Sequence, residues 1–374
     1  MEILNPTTLT VCILEDLQEA LALWANLSED SAQTVYQTPK FLYSWFEIVG
    51  QNLNLEPLFI VITDEFGGQL LLPLCIKKIG LLKIAQFLGG KHANFNMPIF
   101  NDGASKWNMA QIKSAVIKAG KLSNVDVFSF KNQPLYWQSI KNPFSELWSQ
   151  PSPSFGYGLT LMNDPNVLIS ERLSKEGRKK LRQKENGVTK LGNVQFLEAE
   201  NPEQHDTMLN AYFTQKSVQF KDKGIVDPFD SETVREWIGT LKGLRLFGLE
   251  LDNKYLAIWG IGEQGRHASG MFTSYDIQSE AARSSPGEVL LVWLIRKLCT
   301  DGYASVDFGV GEARYKDTWC DTTIELVDTH IGTNVTGRAV ASIMRLKGNL
   351  KRRTKQSSFV FGFIKRVKTK FKLR

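Results

Sequence analysis

The sequence predicts an α/β chain of two tandem units, each a mixed, largely antiparallel sheet flanked by helices. Two observations carry this. Residues 58–76, "LFIVITDEFGGQLLLPLCI", and 244–261, "LRLFGLELDNKYLAIWGI", both read as strand, turn, strand. Each is then followed by an extended stretch, an amphipathic helix and a buried strand carrying Val-Asp, at Val125-Asp126 and Val306-Asp307.

In the first half the extended stretch is "NFNMPIF". The helix is "SKWNMAQIKSAVIKAGKL", opening at Ser105, and the closing strand is "NVDVFSF". Residues 142–158, rich in Pro, Ser and Gly, mark the boundary. Two long helices open the second half, "SERLSKEGRKKLRQKENG" and "PEQHDTMLNAYFTQKSVQFKDKG". Its repeat continues with the strand "RHASGMFTSYD", the helix "SSPGEVLLVWLIRKLCTDG" and the strand "YASVDFG". The expected division is 1–150, 151–340, and a basic amphipathic tail over 341–374.

Composition bounds the function. The chain has 374 residues, 43% of them apolar and 22% charged, as an ordinary globular protein does. The formal charge of +6 is local: residues 341–374 hold 12 Lys/Arg and no acid, whereas the other 340 hold 33 bases against 39 acids. The body is therefore mildly acidic, which argues against a general nucleic-acid-binding surface. In the tail, Val360, Ile364, Val367 and Phe371 fall on one helical face among bases, so peripheral contact with an anionic membrane is expected. Docking of that helix on the second unit is the alternative. The four cysteines lack CxxC spacing and the four histidines lie far apart, so neither disulfides nor a metal site is expected. The N-terminus has no basic n-region and no run reaches a membrane span, which reads as cytoplasmic.

The strongest site candidate is "VDFGVGEARYKDTW", residues 306–319. Asp307 in an apolar strand needs hydrogen-bonding partners. Glu312 has the chemistry to take a proton from an attacking amine or hydroxyl, with His267 as the alternative base. Lys316 has the chemistry to stabilise a developing oxyanion or grip a phosphate. Surface ion pairs and a loop-capping Asp are the structural alternatives. Ser285, Pro286 and Glu288 read as a capping box opening a helix, and Gly287 lets a diphosphate approach its amides, with Arg283 just before it. The basic helix around Arg178 and Arg182, which share a face, is either solvated or a second anion grip. No GxSxG motif supports covalent catalysis.

The ordered set of pieces resembles the CelD/BcsL-type acetyltransferases, a branch of the GNAT superfamily related to the FemAB peptidyltransferases. The matching residues spread over nearly the whole chain. They include "TPKFLYSWF", "FLGGKHANFNMPIF", "GRKKLRQKEN", "FTQKSVQFKDKGIVDPF", "SSPGEVLLVWLI" and "VDFGVGEARYKDTW". The resemblance implies two tandem GNAT-like domains and acyl transfer from a thioester to an amine or hydroxyl. The acceptor it implies is a sugar or an envelope or exopolysaccharide precursor. It implies acyl-CoA as co-substrate and no permanently bound cofactor. The chain lacks the Q/RxxGxG/A phosphate loop of ordinary GNAT enzymes, and "RSSPGE" stands there instead. Aminoacyl-tRNA, the donor of the FemAB relatives, therefore stays open, as does a catalytically degenerate scaffold.

Overall fold

The computed structural model describes residues 8–30, 33–224, 226–227 and 229–356. Among them the chain forms two compact units, one of residues up to 156 together with those from 324 on, the other of residues 157–323.

The first stretch contains nine strands: β1 Thr10–Leu14, β2 Glu56–Thr63, β3 Gln69–Ile79, β4 Leu82–Phe87, β5 Ile99–Phe100, β6 Val127–Pro134, β7 Tyr136–Trp137, β8 Ile140–Lys141 and β9 Ser149–Pro151. Its helices are α1 Leu17–Asp30, α2 Pro39–Trp45, α3 Asp102–Ser105 and α4 Met109–Leu122. The middle stretch adds β10 Gly156–Thr160, β11 Val194–Glu198, β12 Arg245–Leu251, β13 Lys254–Gln264, β14 His267–Tyr275, β15 Ser305–Val310 and β16 Thr322–Ile324. Its helices are α5 Pro165–Arg172, α6 Lys175–Thr189, α7 Pro202–Lys223, α8 Glu232–Thr240, α9 Pro286–Thr300 and α10 Arg314–Trp319. The chain then returns to the first unit as β17 Leu326–Gly332 and α11 Val335–Gln356.

The first sheet runs β1-β2-β3-β4-β6-β17-β9, with β5 beside β3; the second runs β11-β12-β13-β14-β15-β10-β16. The expected duplication is present. Hairpin β2–β3, then β4, α4 and β6 repeat as β12–β13, β14, α9 and β15, and in each case the strands on either side of the helix pair in parallel. The other strand pairs named in these repeats are antiparallel.

The core follows from the apolar spacing. On α4, Ile112, Ala115, Val116 and Ala119 form one stripe and pack with Leu70, Leu72 and Leu74 of β3. On α9, Leu290, Leu291, Leu294, Ile295 and Leu298 are buried over Phe247, Ala257 and Ile261. Each fully buried Leu or Ile contributes roughly 1.5–3 kcal/mol of transfer free energy.

Several boundaries differ from the sequence reading. The third strand of the first repeat is β4, whereas "NFNMPIF" supplies only the two-residue β5. Helix α4 opens at Asn108, whose side chain and that of Gln111 form a capping box; Ser105 ends α3. The stretch from Ser170 to Gly187 is two helices, because Ser174 turns extended and its Oγ accepts from Gly177 N at 3.1 Å, starting α6 afresh.

The expected boundary at 340 also differs from the observed one. Strand β17 is buried throughout and pairs with β6 from Leu326↔Pro134 to Gly332↔Val127, and with β9 on its other side. Its hydrophobic pattern specifies a buried strand but not which sheet receives it. Helix α11 then packs Val340, Ala341 and Met344 on Ile84 and Val127 of the first sheet. Residues 341–356 of the expected tail are thus part of a helix docked on the first unit. Val360, Ile364, Val367 and Phe371 lie outside the described residues.

The return into α11 is tight. Asn334 Oδ1 accepts from Gly337 N at 2.7 Å, and a Cβ on Gly337 would stand 1.9 Å from the carbonyl oxygen of Asp126. Gly337→Ala is therefore expected to cost about 1–3 kcal/mol by forcing backbone apart. Urea denaturation of the two proteins measures it; an unchanged midpoint contradicts this packing.

Candidate active site

The second unit places the polar run of residues 307–317 at a parting of strands. The parallel pairing of β14 and β15 covers His267↔Ser305, Ala268↔Val306 and Ser269↔Asp307. Beyond it β14 runs on to Tyr275 and β15 to Val310. Asp307 sits at the last paired position and is fully buried. Its carboxylate is well supplied with donors: Ser269 Oγ at 2.5 Å, His267 Nε2 at 3.0 Å and the Gly309 amide at 2.8 Å. A carboxylate only accepts, so Nε2 of His267 carries a proton, while its Nδ1 lies 2.7 Å from Ser305 Oγ. His267 and Asp307 thus form one hydrogen-bonded unit that ties the two strands together where they part.

Past this knot the chain turns through two left-handed glycines, Gly309 at φ 70° and Gly311 at φ 102°. A side chain at either would be strained, and that conformation aims both carbonyls at one point. Lys316, from α10, fills it: Nζ donates to Gly309 O at 3.0 Å and Gly311 O at 2.8 Å and lies 5.3 Å from the centroid of the Tyr157 ring. Only 4% of Lys316 is exposed, and burial pulls its amine down to about 8, against a smaller upward pull from Cys320, Asp307 and Glu312. Glu312 stands exposed on the loop before α10, near enough to act on Lys316 electrostatically. Of the four expected catalytic residues, the fold therefore unites His267 with Asp307, sets Lys316 on the following helix α10, and leaves Glu312 exposed on the loop between. Burial pushes the Cys320 thiol up to about 12, so it offers no thiolate at neutral pH.

The expected anion-binding residues are distributed differently from the sequence reading. Ser285 precedes α9 but adopts a left-handed conformation, φ 52° and ψ 60°, and its hydroxyl makes no cap. The expected capping box is absent for that reason, and because Glu288 is drawn to Lys184 of α6 at 2.5 Å. Arg283 is exposed and Gly287 half-buried beside the same helix start. Arg178 is turned inward: Nη1 donates to the carbonyls of Ser170 and Leu173, closing the end of α5. Arg182 is exposed on α6. Helix α6 does lie against the start of α9, since a Cβ on Gly187 would meet Ser284 Oγ, but Lys184 is the base that arrives there.

Lys216 was missed by sequence reasoning. Its Nζ donates to Thr273 O at 2.9 Å, on the part of β14 that has left β15 and pairs only with β13, and burial lowers its amine to about 8. Gln219, about one turn further along the same side of α7, donates to Tyr275 O at 2.6 Å. The available signal was a lone lysine in the aromatic stretch "YFTQKSVQF".

Residues 175–317 match the family model of an acetyltransferase (GNAT) domain. The GNAT match runs from α6 into α10 and includes β14, α9, β15 and the loop around Lys316. No curated protein matches the chain. Among solved structures, FemX is 10% identical and aligns over 85% of this chain and 96% of its own, with a TM-score of 0.56. The C-terminal domain of a putative lysylphosphatidylglycerol synthetase from Agrobacterium fabrum is 12% identical over 87% of this chain and 95% of that one, TM-score 0.52. L-PGS from Bacillus licheniformis gives 12% identity, coverages of 90% and 97%, and a TM-score of 0.51. At such identities the likeness is one of fold, and it spans both units: the architecture is α/β with two tandem GNAT-like units. Among the described residues no cluster of His, Cys, Asp or Glu could hold a metal, and no helix is long and apolar enough to cross a membrane.

Proposed function

We propose that the second unit is a CelD/BcsL-type acyltransferase that moves an acyl group from a CoA thioester to an amine or hydroxyl of a sugar or envelope precursor. The observation that supports this most is Lys316, a buried ammonium held by two carbonyls just past the parting of β14 and β15, inside the GNAT match. The acceptor attacks the thioester carbon, negative charge grows on the carbonyl oxygen, and Lys316 meets that charge. The acceptor's proton goes to Glu312, the oxyanion collapses to re-form the carbonyl, the C–S bond breaks with its electron pair going to sulfur, and CoA leaves as a thiolate that takes its proton from Glu312 or solvent. Asp307 and His267 act as positioning residues, fixing the strand ends so that the glycine loop that holds Lys316 keeps its place. The CoA diphosphate lies at the start of α9, by Arg283, Ser285 and Gly287, with Lys184 and Arg182 alongside on α6. The exopolysaccharide role and the peripheral membrane contact expected of the tail, residues 341–374, extend the same reading.

Calorimetric titration with CoA tests the donor site. A Cβ on Gly287 would stand 3.4 Å from Tyr275, an ordinary contact, so Gly287→Val is expected to spare the fold and weaken CoA at least about tenfold by blocking approach to the helix amides. Equal affinities in folded proteins would place the donor elsewhere.

One observation favours a second reading, aminoacyl transfer from tRNA. Glu288 puts a carboxylate at the very helix end where a CoA diphosphate would bind, and no ordinary GNAT phosphate loop precedes it. Thermal shift separates the two: acetyl-CoA at a hundred times its Kd adds about 2.7 kcal/mol. Stabilisation by aminoacyl-tRNA and not by acetyl-CoA selects the second.

A further inference from the structure

Three connections of the first unit meet at one end of its sheet. Lys83 N donates to Asp126 Oδ2 at 2.7 Å and Lys83 O accepts from Asp126 N at 3.0 Å, joining the β3–β4 turn to the segment after α4. Asn334 Nδ2 reaches Asp126 Oδ1 at 2.5 Å, bringing in the start of α11. At this junction large apolar side chains stand in solvent: Leu81 at the turn is 102% exposed and Val335 is 82% exposed. The turn sequence is "KKIGLLK", so Lys77, Lys78 and Lys83 surround its apolar tip. Lys78 pairs with Glu56, and the Asp126 carboxylate is taken up by the bonds just named.

Helix α11 continues this character. Its inner side packs Val340, Ala341 and Met344 on the sheet and sends Arg345 to the His330 carbonyl. Its outer side presents Ile343, Leu346 and Leu350, which are 52%, 70% and 64% exposed and recur at helical spacing. Exposed Lys347, Lys351 and Arg353 flank them, and from residue 341 to the end there are 12 bases and no acid. A row of protruding aliphatic side chains such as this marks a contact surface.

We propose that the β3–β4 turn and the outer face of α11 form a docking surface for an anionic lipid bilayer. The surface is a projecting tip and an outward helix stripe, which suits insertion between headgroups. Lysines beside each apolar group keep their stems along it and their charges at the phosphates. The one-sided charge selects anionic lipid. These grounds lie wholly in the first unit and hold whether or not the second unit transfers acyl groups.

The test is co-sedimentation of the full chain with vesicles of equal parts phosphatidylglycerol and phosphatidylcholine at low salt. Wild type is expected to sediment, less with phosphatidylcholine alone and less at high salt. Leu81→Glu with Leu346→Glu is expected to lower partitioning at least about tenfold without changing the melting temperature, as both side chains are exposed. Should that pair melt early, Leu81→Ser with Leu346→Ser takes its place. Ile364→Glu with Phe371→Glu, in the full chain, probes the undescribed tail. Loss of binding in the tail variant alone, binding by the Leu81/Leu346 variant equal to wild type, or no binding at low salt overturns the proposal. So does a wild-type dimer that Leu346→Glu dissolves, which would make the face a contact between copies.

Discussion

Lys316→Met is expected to lower the acyl-transfer rate by about 10²–10³-fold, the usual cost of removing one donor aimed at a developing oxyanion. Methionine keeps most of the aliphatic stem and removes the ammonium with its hydrogen bonds to Gly309 O and Gly311 O, so melting curves must accompany the rates. The pH dependence separates charge from packing. Burial sets the amine at about 8, against an ordinary value of 10.5. If the ammonium is the working form, the wild-type rate falls as pH rises through about 8. Stability moves the other way. Below pH 8 both folded and unfolded chains hold the proton. Between 8 and 10.5 the unfolded chain keeps a proton that the folded one has released, so wild type gains stability relative to Lys316→Met as pH rises across that window. Steady-state rates and melting curves at pH 7, 8 and 9 read both. Unchanged turnover in the variant removes Lys316 from the reaction.

Asp307→Ala is expected to destabilise the second unit by about 3–5 kcal/mol, the range for taking one partner from a buried charged cluster. The carboxylate takes the hydrogens of His267, Ser269 and the Gly309 amide in a site closed to water, and alanine would orphan all three. Asp307→Asn keeps the size but turns one oxygen into a donor facing donors, so it should recover only part of the loss. Guanidinium denaturation of the three proteins measures this. A loss under 1 kcal/mol in Asp307→Ala would show that the knot is not what holds β14 to β15.

Local pattern made much of this protein legible. Helix α7 runs from a Pro at its start to Gly224 in the left-handed conformation at its end, as the sequence "PEQHDTMLNAYFTQKSVQFKDKG" indicates. Hairpins β2–β3 and β12–β13 follow from alternating apolar runs broken by "DEFGG" and "DN". An Asp in an apolar strand pointed to buried partners, and the unit of Asp307, Ser269 and His267 supplies them. What misled was also local. Ser285, Pro286 and Glu288 have the composition of a capping box, but Lys184, more than a hundred positions earlier, takes the glutamate. Arg178 reads as a solvated or anion-binding charge, but its use is to close the helix before its own.

The sequence by itself determined the hairpin, helix and closing strand of each repeat, the amphipathic faces and the polar run after β15. Those features depend on residue type and spacing within some twenty positions, and backbone geometry converts them directly into elements. Tertiary structure alone decided that β17 and α11 return to the first sheet. It alone decided that Lys316 lies between two glycine carbonyls, and that Leu81 stands in solvent at the same end of the sheet as Val335. The physical reason is common to all three. A strand's partner, a lysine's burial and a leucine's exposure depend on which distant segments fill the space around them, and no pattern within the segment itself records that choice.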